Sequence, residues 1–121
     1  MKRVINTKFY TFDQNNSGGR FHNDENLAQL VIIEAISDGD ANDRAEKLGI
    51  YFDGVDGGSD CQSCGDRWSR VYKDDGHDKP MHYNHEVTED YQPLYQMDTR
   101  YPYAYIHYMD GTKTIIKGKQ E

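Results

Sequence analysis

The sequence predicts an α+β fold: one compact domain over residues 1–121, with a largely antiparallel sheet, one main helix packed on a face and a Cys-x-x-Cys loop. Three observations predict it. Residues 29–36, QLVIIEAI, form a short β-branched apolar run that is typical of a central strand. A capped helix follows directly, and near the end of the chain an Asp-Gly pair joins two β-rich runs. No linker or internal repeat divides the chain, whose 121 residues suffice for one modest core.

Three strand segments and a turn are predicted before the helix. Residues 8–12, KFYTF, alternate as a strand, and residues 13–20, DQNNSGGR, are rich in turn-forming side chains. Phe21 is expected to begin a brief return strand. Residues 29–36 are apolar on both faces, so we expect this strand to be the segment most protected from hydrogen exchange.

The helix is predicted from its two ends. Ser37 is a favourable N-cap, and Asp40 three residues later gives a pair resembling a capping box. Gly49 suits the position just past the last helical residue. The apolar stripe of the helix is narrow, so the helix must pack closely against a sheet. This stripe consists of Ala41, Ala45 and Leu48.

The end of the chain predicts a hairpin. Residues 103–109 and 112–117 are β-rich, and the Asp110-Gly111 pair between them is a strong short-range turn signal. The preceding stretch, residues 81–100, is ambiguous and is compatible with a helical turn.

Tyrosine supplies much of the apolar surface. The chain has ten Tyr, and its hydrophobic content of 36% and mean hydropathy of −0.99 are low for a globular protein. Because tyrosine has a polar tip, such a scale understates what can be buried, and we expect a folded chain. Tyr101, Tyr103 and Tyr105 alternate, which predicts that they share one face of a strand, as core or as an adhesive surface.

Negative charge is concentrated in the middle of the chain. The formal net charge is −7, and residues 37–66, with eight acids and two basic residues, contribute −6. Such a face repels nucleic-acid phosphate, so we do not expect direct nucleic-acid binding. It favours cations or a partner protein with a basic surface. The alternative is a solvated face that keeps a small protein soluble.

Targeting signals are not apparent. No apolar run approaches the ~18 residues of a membrane span. The N-terminus, MKRVINTKFY, turns polar at once, so neither a membrane segment nor a signal peptide is expected. The expected location is the cytoplasm, where two thiols stay reduced.

Residues 51–68, YFDGVDGGSDCQSCGDRW, are here called the Gly/Cys loop; short strands are predicted to flank it at residues 50–52 and 68–73. A segment so rich in Gly and Asp cannot bury an apolar core, so a metal is a candidate for holding it. The two thiolates of a Cys-x-x-Cys-Gly turn supply half of a tetrahedral zinc site. The expected ligands of one structural zinc are Cys61, Cys64, His82 and His85, with His77 or His22 as replacements for either histidine.

Two alternatives apply to the cysteines. Both are free thiols in a tight turn, or they form a redox pair like that of thioredoxin, in which a helix N-terminus lowers the pKa of the first cysteine. The DRWSRVY segment after Gly65 predicts a strand and no helix, so a thioredoxin-like role is not expected.

The Gly/Cys loop is also the predicted docking site for a partner. Acidic side chains speed encounter with a basic groove, and a Trp beside an Arg is a common interface hot spot. The alternative for Trp68 is that it is the core aromatic of its strand. The predicted binding residues are Asp53, Asp56, Asp60, Asp66, Arg67 and Trp68.

Catalytic motifs are absent from the sequence. It contains no Gly-rich phosphate loop, no nucleophile elbow and no His-Glu-x-x-His. The DGVDGGSD run lacks the ligand spacing of an EF-hand. We therefore do not expect an enzyme.

Residues 8–72 contain four distinctive segments, FDQNNSGG, VIIEA, DANDRAEKLGIYFDG and DCQSCGDRW. Together these segments resemble a family of small uncharacterised proteins from tailed bacteriophages. This chain has Val55 and Ser63 where other members often carry further cysteines. The resemblance implies a phage-encoded accessory protein, made in the cytoplasm of the infected host, that binds and inhibits a host or anti-phage defence protein. The alternative is a protein that sequesters a nucleotide-like small molecule, or a small metal-dependent enzyme.

Overall fold

The computed structural model describes residues 6–15, 21–93, 96 and 99–118, and within them the predicted α+β fold is confirmed. One α-helix and six strands are present in this part of the chain. Their bounds are β1 Lys8–Asp13, β2 Leu30–Ala35, α1 Asp38–Leu48, β3 Met81–His82, β4 His85–Glu86, β5 Ala104–His107 and β6 Lys113–Ile116, and a 3-10 turn spans Lys73–Asp75.

A four-stranded mixed sheet has the order β1-β2-β5-β6. The outer pairs β1–β2 and β5–β6 are antiparallel, and β2–β5 is parallel. Strand β2 is central, as its apolar run predicts, and five of its six side chains are buried. Strands β3 and β4 form a separate antiparallel hairpin.

The helix begins and ends as its caps predict. The Ser37 hydroxyl accepts a hydrogen bond from the Asp40 N–H at 3.0 Å, and Gly49 has φ +113°, the left-handed conformation favoured in glycine. Ala41 and Ala45 are fully buried, and α1 packs against β2. Small side chains allow this close packing.

The sheet separates two clusters of buried side chains. The helix-side core lies between the sheet and α1, and the second core lies on the opposite face beneath the segment around Val87 and Tyr91. Alternation along β2 divides its residues between them, because Val31 and Ile33 face the first core and Leu30 and Ile32 face the second.

The predicted hairpin at the end of the chain is confirmed with shorter strands. Strands β5 and β6 pair from Ala104↔Ile116 to His107↔Lys113. Gly111 has φ +89° and the Tyr108 N–H donates to the Thr112 carbonyl at 2.9 Å. Glycine is required at this left-handed position of the turn.

Several predicted strands are not formed. Phe21, residues 50–52 and residues 68–73 lie outside any strand. The side chain of Asn42 in α1 instead donates to the Val71 carbonyl and accepts from the Val71 N–H, both at 3.0 Å. These bonds satisfy the Val71 backbone without a neighbouring strand.

Three further sequence expectations have different outcomes. The predicted turn at residues 13–20 falls largely on residues 16–20, outside the described residues. The ambiguous stretch 81–100 contains the β3–β4 hairpin. Tyr103 and Tyr105 do not share a face, because Tyr103 lies in the second core while Tyr105 pairs with Val31 of the helix-side core.

No helix in the described parts of the chain is both long and apolar enough to cross a membrane.

Candidate functional site

A cleft of about 770 Å³ opens between the end of β1 and the β3–β4 hairpin. This volume lies within the range of about 300–1,000 Å³ that is usual for small-molecule sites. Its walls are rich in aromatic and imidazole rings. These rings belong to Phe21, His82, Tyr83, His85, Tyr91 and Tyr103.

Tyr83 is the most unusual residue of the cleft. It occupies the first position of the two-residue turn that joins β3 to β4, and its φ is +55°. Two-residue hairpin turns require a positive φ there and normally use Gly, Asn or Asp, because a bulky side chain is strained. The ring is nonetheless 78% exposed, and it borders a second cavity of about 390 Å³ as well as the cleft.

A hydrogen-bonded chain of three side chains crosses the cleft wall. The His82 Nε2 lies 2.9 Å from the Asp13 Oδ2, and the Tyr91 hydroxyl lies 3.5 Å from the His82 Nδ1. An ionised carboxylate only accepts, so Nε2 carries the proton towards Asp13, and Nδ1 is left to accept from Tyr91. The His82 ring is thereby fixed, and it also packs against Tyr83 at 4.5 Å between centroids.

Two stacked tyrosines line the cleft. The Tyr91 and Tyr103 rings stack with centroids 5.8 Å apart and an interplanar angle of 22°. Burial raises the pKa of both hydroxyls, and the nearby Asp13 carboxylate raises them further. Both side chains therefore remain neutral hydrogen-bond donors over the physiological pH range.

The predicted docking acids lie in the Gly/Cys loop, but they differ in accessibility. Asp56 is exposed, and Asp53 is exposed but pairs with Arg70 at 2.8 Å, which lowers the Asp53 pKa. Asp66 accepts from the Val55 N–H at 2.9 Å. Asp60 accepts from the Tyr51 hydroxyl at 2.7 Å and from the Arg67 N–H at 2.8 Å.

Burial disfavours the charged form of Asp60, but the hydrogen bonds from Arg67 and Tyr51 outweigh it and lower the Asp60 pKa. Asp60 is half-buried, and its carboxylate is part of the loop's own hydrogen-bond network.

Arg67 is half-buried and hydrogen-bonds within the fold, and Trp68 is buried. The Arg67 guanidinium donates to the Tyr51 hydroxyl at 3.2 Å and to the Gln14 Oε1 at 3.0 Å. Trp68 is 1% exposed and lies in the helix-side core. It is therefore a core aromatic residue, but the segment that carries it is not a strand. The prediction of an interfacial Trp68 is wrong, since apolar packing removes the ring from the surface.

The two cysteines lie close together in one turn, and Cys61 is exposed. A hydrogen bond with the Ser63 hydroxyl, 3.1 Å from the Cys61 Sγ, and further bonds from Cys64 lower the Cys61 pKa to about 7. The pKa of Cys64 is raised, because its thiol donates to Cys61 and is partly desolvated.

The predicted zinc ligands belong to two separate parts of the fold. Cys61 and Cys64 lie in the Gly/Cys loop, whereas His82 and His85 are partners in the β3–β4 hairpin. Within the described residues, no group of three or more His, Cys, Asp or Glu side chains is arranged to hold a metal ion. Zinc bound by these four residues stays a prediction.

Sequence reasoning did not predict the cleft. Its lining comes from chain positions as far apart as Asp13 and Tyr103, and no local motif joins them. The available signal was the abundance of aromatic side chains in the second half of the chain. That signal does not distinguish core from cavity.

No curated protein and no solved structure matches this chain. The model of one family, a domain of unknown function, matches residues 7–121. The match includes the Tyr-rich second half and thus extends beyond residues 8–72. The chain belongs to this family, the domain of unknown function DUF7296.

Proposed function

We propose that the cleft binds a neutral or cationic planar heterocycle of the nucleobase or nucleoside class. The observation that carries the proposal is Tyr83, a large exposed ring held in a strained turn at the edge of the cleft. Unfavourable backbone geometry of this kind costs about 1–3 kcal/mol and clusters at functional sites. Glycine would form the same turn without strain, so the tyrosine ring itself is the feature that needs a function.

The lining supports a planar ligand that lacks a strong negative charge. Aromatic faces stack on bases of any sequence, and the Asp13 carboxylate supplies a hydrogen-bond acceptor. Asp13 keeps 49% of its side chain accessible although it contacts His82. The described lining residues include no Lys or Arg, the side chains that most often pair with a phosphate group.

Isothermal titration with adenine, cytosine, their nucleosides and the matching monophosphates tests the proposal. We expect at least one base or nucleoside to bind and its monophosphate to bind more weakly. Tyr83→Gly should weaken binding by roughly 5- to 150-fold, the equivalent of about 1–3 kcal/mol for one base–aromatic stack. It should not lower the free energy of unfolding, because it relieves the strained turn.

The matched control is Tyr72→Ala, which removes another exposed ring, 67% accessible, that does not line the cleft. Binding should be unchanged in this variant. Absence of binding by every base and nucleoside at millimolar concentration, or equal affinity of Tyr83→Gly and the natural protein, would contradict the proposal.

A second candidate is docking on a protein with a basic surface, as a phage-encoded accessory protein that inhibits a host or defence protein in the host cytoplasm. The observation that favours it is the exposure of four acids, Asp43, Glu46, Asp53 and Asp56. Such charges accelerate association in a salt-dependent way. The exposed surface does not include the other predicted binding residues, because their side chains stabilise the loop or lie in the core. These residues are Asp60, Asp66, Arg67 and Trp68.

Affinity capture from bacterial lysate, followed by association kinetics at two salt concentrations, tests this candidate. Asp56→Lys should slow association without loss of folding stability, because Asp56 is exposed. A captured protein whose association rate is indifferent to salt and to this reversal would exclude the acidic surface as the docking site.

A further inference from the structure

The Cys61–Cys64 segment forms a tight turn whose geometry suits a disulfide. The N–H groups of Cys64 and Gly65 both donate to the Cys61 carbonyl at 3.1 Å. A bond from residue i+3 back to residue i closes a β-turn, in which the Cα atoms of the first and last residues lie within about 7 Å. Disulfides join Cα atoms about 4.4–6.8 Å apart, a range that is compatible with the two ends of such a turn.

The turn is also anchored and open to solvent. The Asn15 side chain donates to the Cys64 carbonyl at 3.1 Å and to the Asp66 carbonyl at 3.2 Å, which ties the turn to the end of β1. Gly65 holds φ +88°, which bends the chain away after the second cysteine. Cys61 is exposed, Cys64 is half-buried, and both line a small cavity of about 80 Å³.

We propose that Cys61 and Cys64 are a redox-active dithiol that reduces low-molecular-weight disulfides and closes to an intramolecular disulfide. The exposed Cys61 is the attacking residue and the half-buried Cys64 is the resolving residue. This proposal is independent of the ligand cleft, because neither cysteine lines it.

The reaction balances in two steps. The Cys61 thiolate attacks one sulfur of the substrate disulfide, the substrate S–S bond breaks, and one substrate thiolate leaves while a mixed disulfide forms on Cys61. Cys64 then loses its proton and attacks the Cys61 sulfur, which releases the second substrate thiolate and closes the Cys61–Cys64 bond. Two electrons pass from the protein dithiol to the substrate disulfide, and the two substrate thiolates take up the two protons released.

Oxidised glutathione is the probe for the test. The reduced full chain is incubated with it, free thiols are blocked by alkylation at successive times, and the products are identified by mass spectrometry. The expected product is a monomer that carries no alkyl group and no glutathione. Cys64→Ser should accumulate the mixed disulfide on Cys61, and Cys61→Ser should react at least about tenfold more slowly.

Three results would overturn the proposal. The first is a dithiol that stays reduced at an excess of oxidised glutathione. The second is oxidation that yields only intermolecular dimers. The third is natural protein that purifies with one equivalent of zinc and whose two thiols resist alkylation until the zinc is removed, since thiolates committed to a structural metal do not exchange.

Discussion

Asp60 stabilises the Gly/Cys loop by bonding to other residues of the loop, since its Oδ1 accepts a hydrogen bond from the Tyr51 hydroxyl at 2.7 Å. The other carboxylate oxygen accepts from the Arg67 N–H at 2.8 Å. A side chain at Gly54 would collide with the same carboxylate, so the loop needs glycine there. The Gly- and Asp-rich part of the loop thus acquires a defined shape from hydrogen bonds.

The first prediction concerns this carboxylate. Asp60→Ala should lower the free energy of unfolding by about 1–3 kcal/mol, because the Tyr51 hydroxyl and the Arg67 N–H lose their acceptor. Asp56→Ala is the matched control, and as an exposed acid it should change stability by less than about 0.5 kcal/mol. Urea unfolding measures the change in the free energy of unfolding for both variants. Equal effects of the two substitutions would contradict the role assigned to Asp60.

The second prediction concerns pH. His107 is buried, and its Nε2 donates to the Asn26 carbonyl at 2.9 Å. Burial and the nearby Lys113 charge lower the His107 pKa below 6.5, despite the opposing effect of the Asn26 hydrogen bond. At a pH near 6.5, His107 therefore binds a proton more readily in the unfolded chain than in the folded chain. The free energy of unfolding should accordingly fall as the pH decreases from 7.5 through 6.5.

His107→Gln should reduce that pH dependence. Chemical unfolding at four pH values between 5.5 and 7.5 provides the measurement. His22 has a lowered pKa as well, mainly through burial, so part of the slope should remain in His107→Gln. An identical slope in His107→Gln and the natural protein would contradict the assignment.

The third prediction separates packing from hydrogen bonding at Trp68. Its indole Nε1 is buried and has no hydrogen-bond partner among the described residues. Trp68→Ala should cost about 3–5 kcal/mol because it opens a large cavity in the helix-side core. Trp68→Phe should cost clearly less, since it keeps an aromatic ring and removes a buried polar group. Thermal unfolding ranks the variants, and equal losses would show that the indole N–H matters.

Features set by neighbouring residues could be predicted from the sequence. Ser37 and Gly49 define the helix through contacts within a few residues, and Gly111 defines the last hairpin in the same way. The central position of β2 follows from its continuous apolar run. Each of these signals is local, so tertiary structure had little to alter.

The middle of the chain and the cleft could not be predicted in the same way. Residues 68–73 have strand-like composition, but the Asn42 side chain, 29 residues from Val71, occupies the backbone groups that a strand would pair. The cleft likewise depends on Asp13 and His82, which are 69 residues apart in the sequence. Contacts over such separations leave no periodic signal in the sequence.

The fourth prediction uses one substitution at two glycines. Gly76 lies beneath the buried Tyr10: a Cβ there would lie 2.9 Å from the Tyr10 Cζ and 3.0 Å from the Lys8 Cβ. The neighbouring His77 bonds to Phe9 of β1 in both directions, at 2.7 and 2.9 Å, so the backbone at residue 76 cannot easily move away. Gly76→Ala should therefore lower the free energy of unfolding by about 1–3 kcal/mol through overpacking.

The same substitution at Gly39 should have the opposite sign. Gly39 lies in the first turn of α1, is exposed, and would place its Cβ no closer than 3.9 Å to the Ser37 hydroxyl. Alanine is the better helix former, so Gly39→Ala should raise the free energy of unfolding by about 0.5–1 kcal/mol. Urea unfolding of the two variants checks both signs. Stabilisation by Gly76→Ala would mean that the segment around His77 is not held against β1, and destabilisation by Gly39→Ala would contradict the assigned helix start.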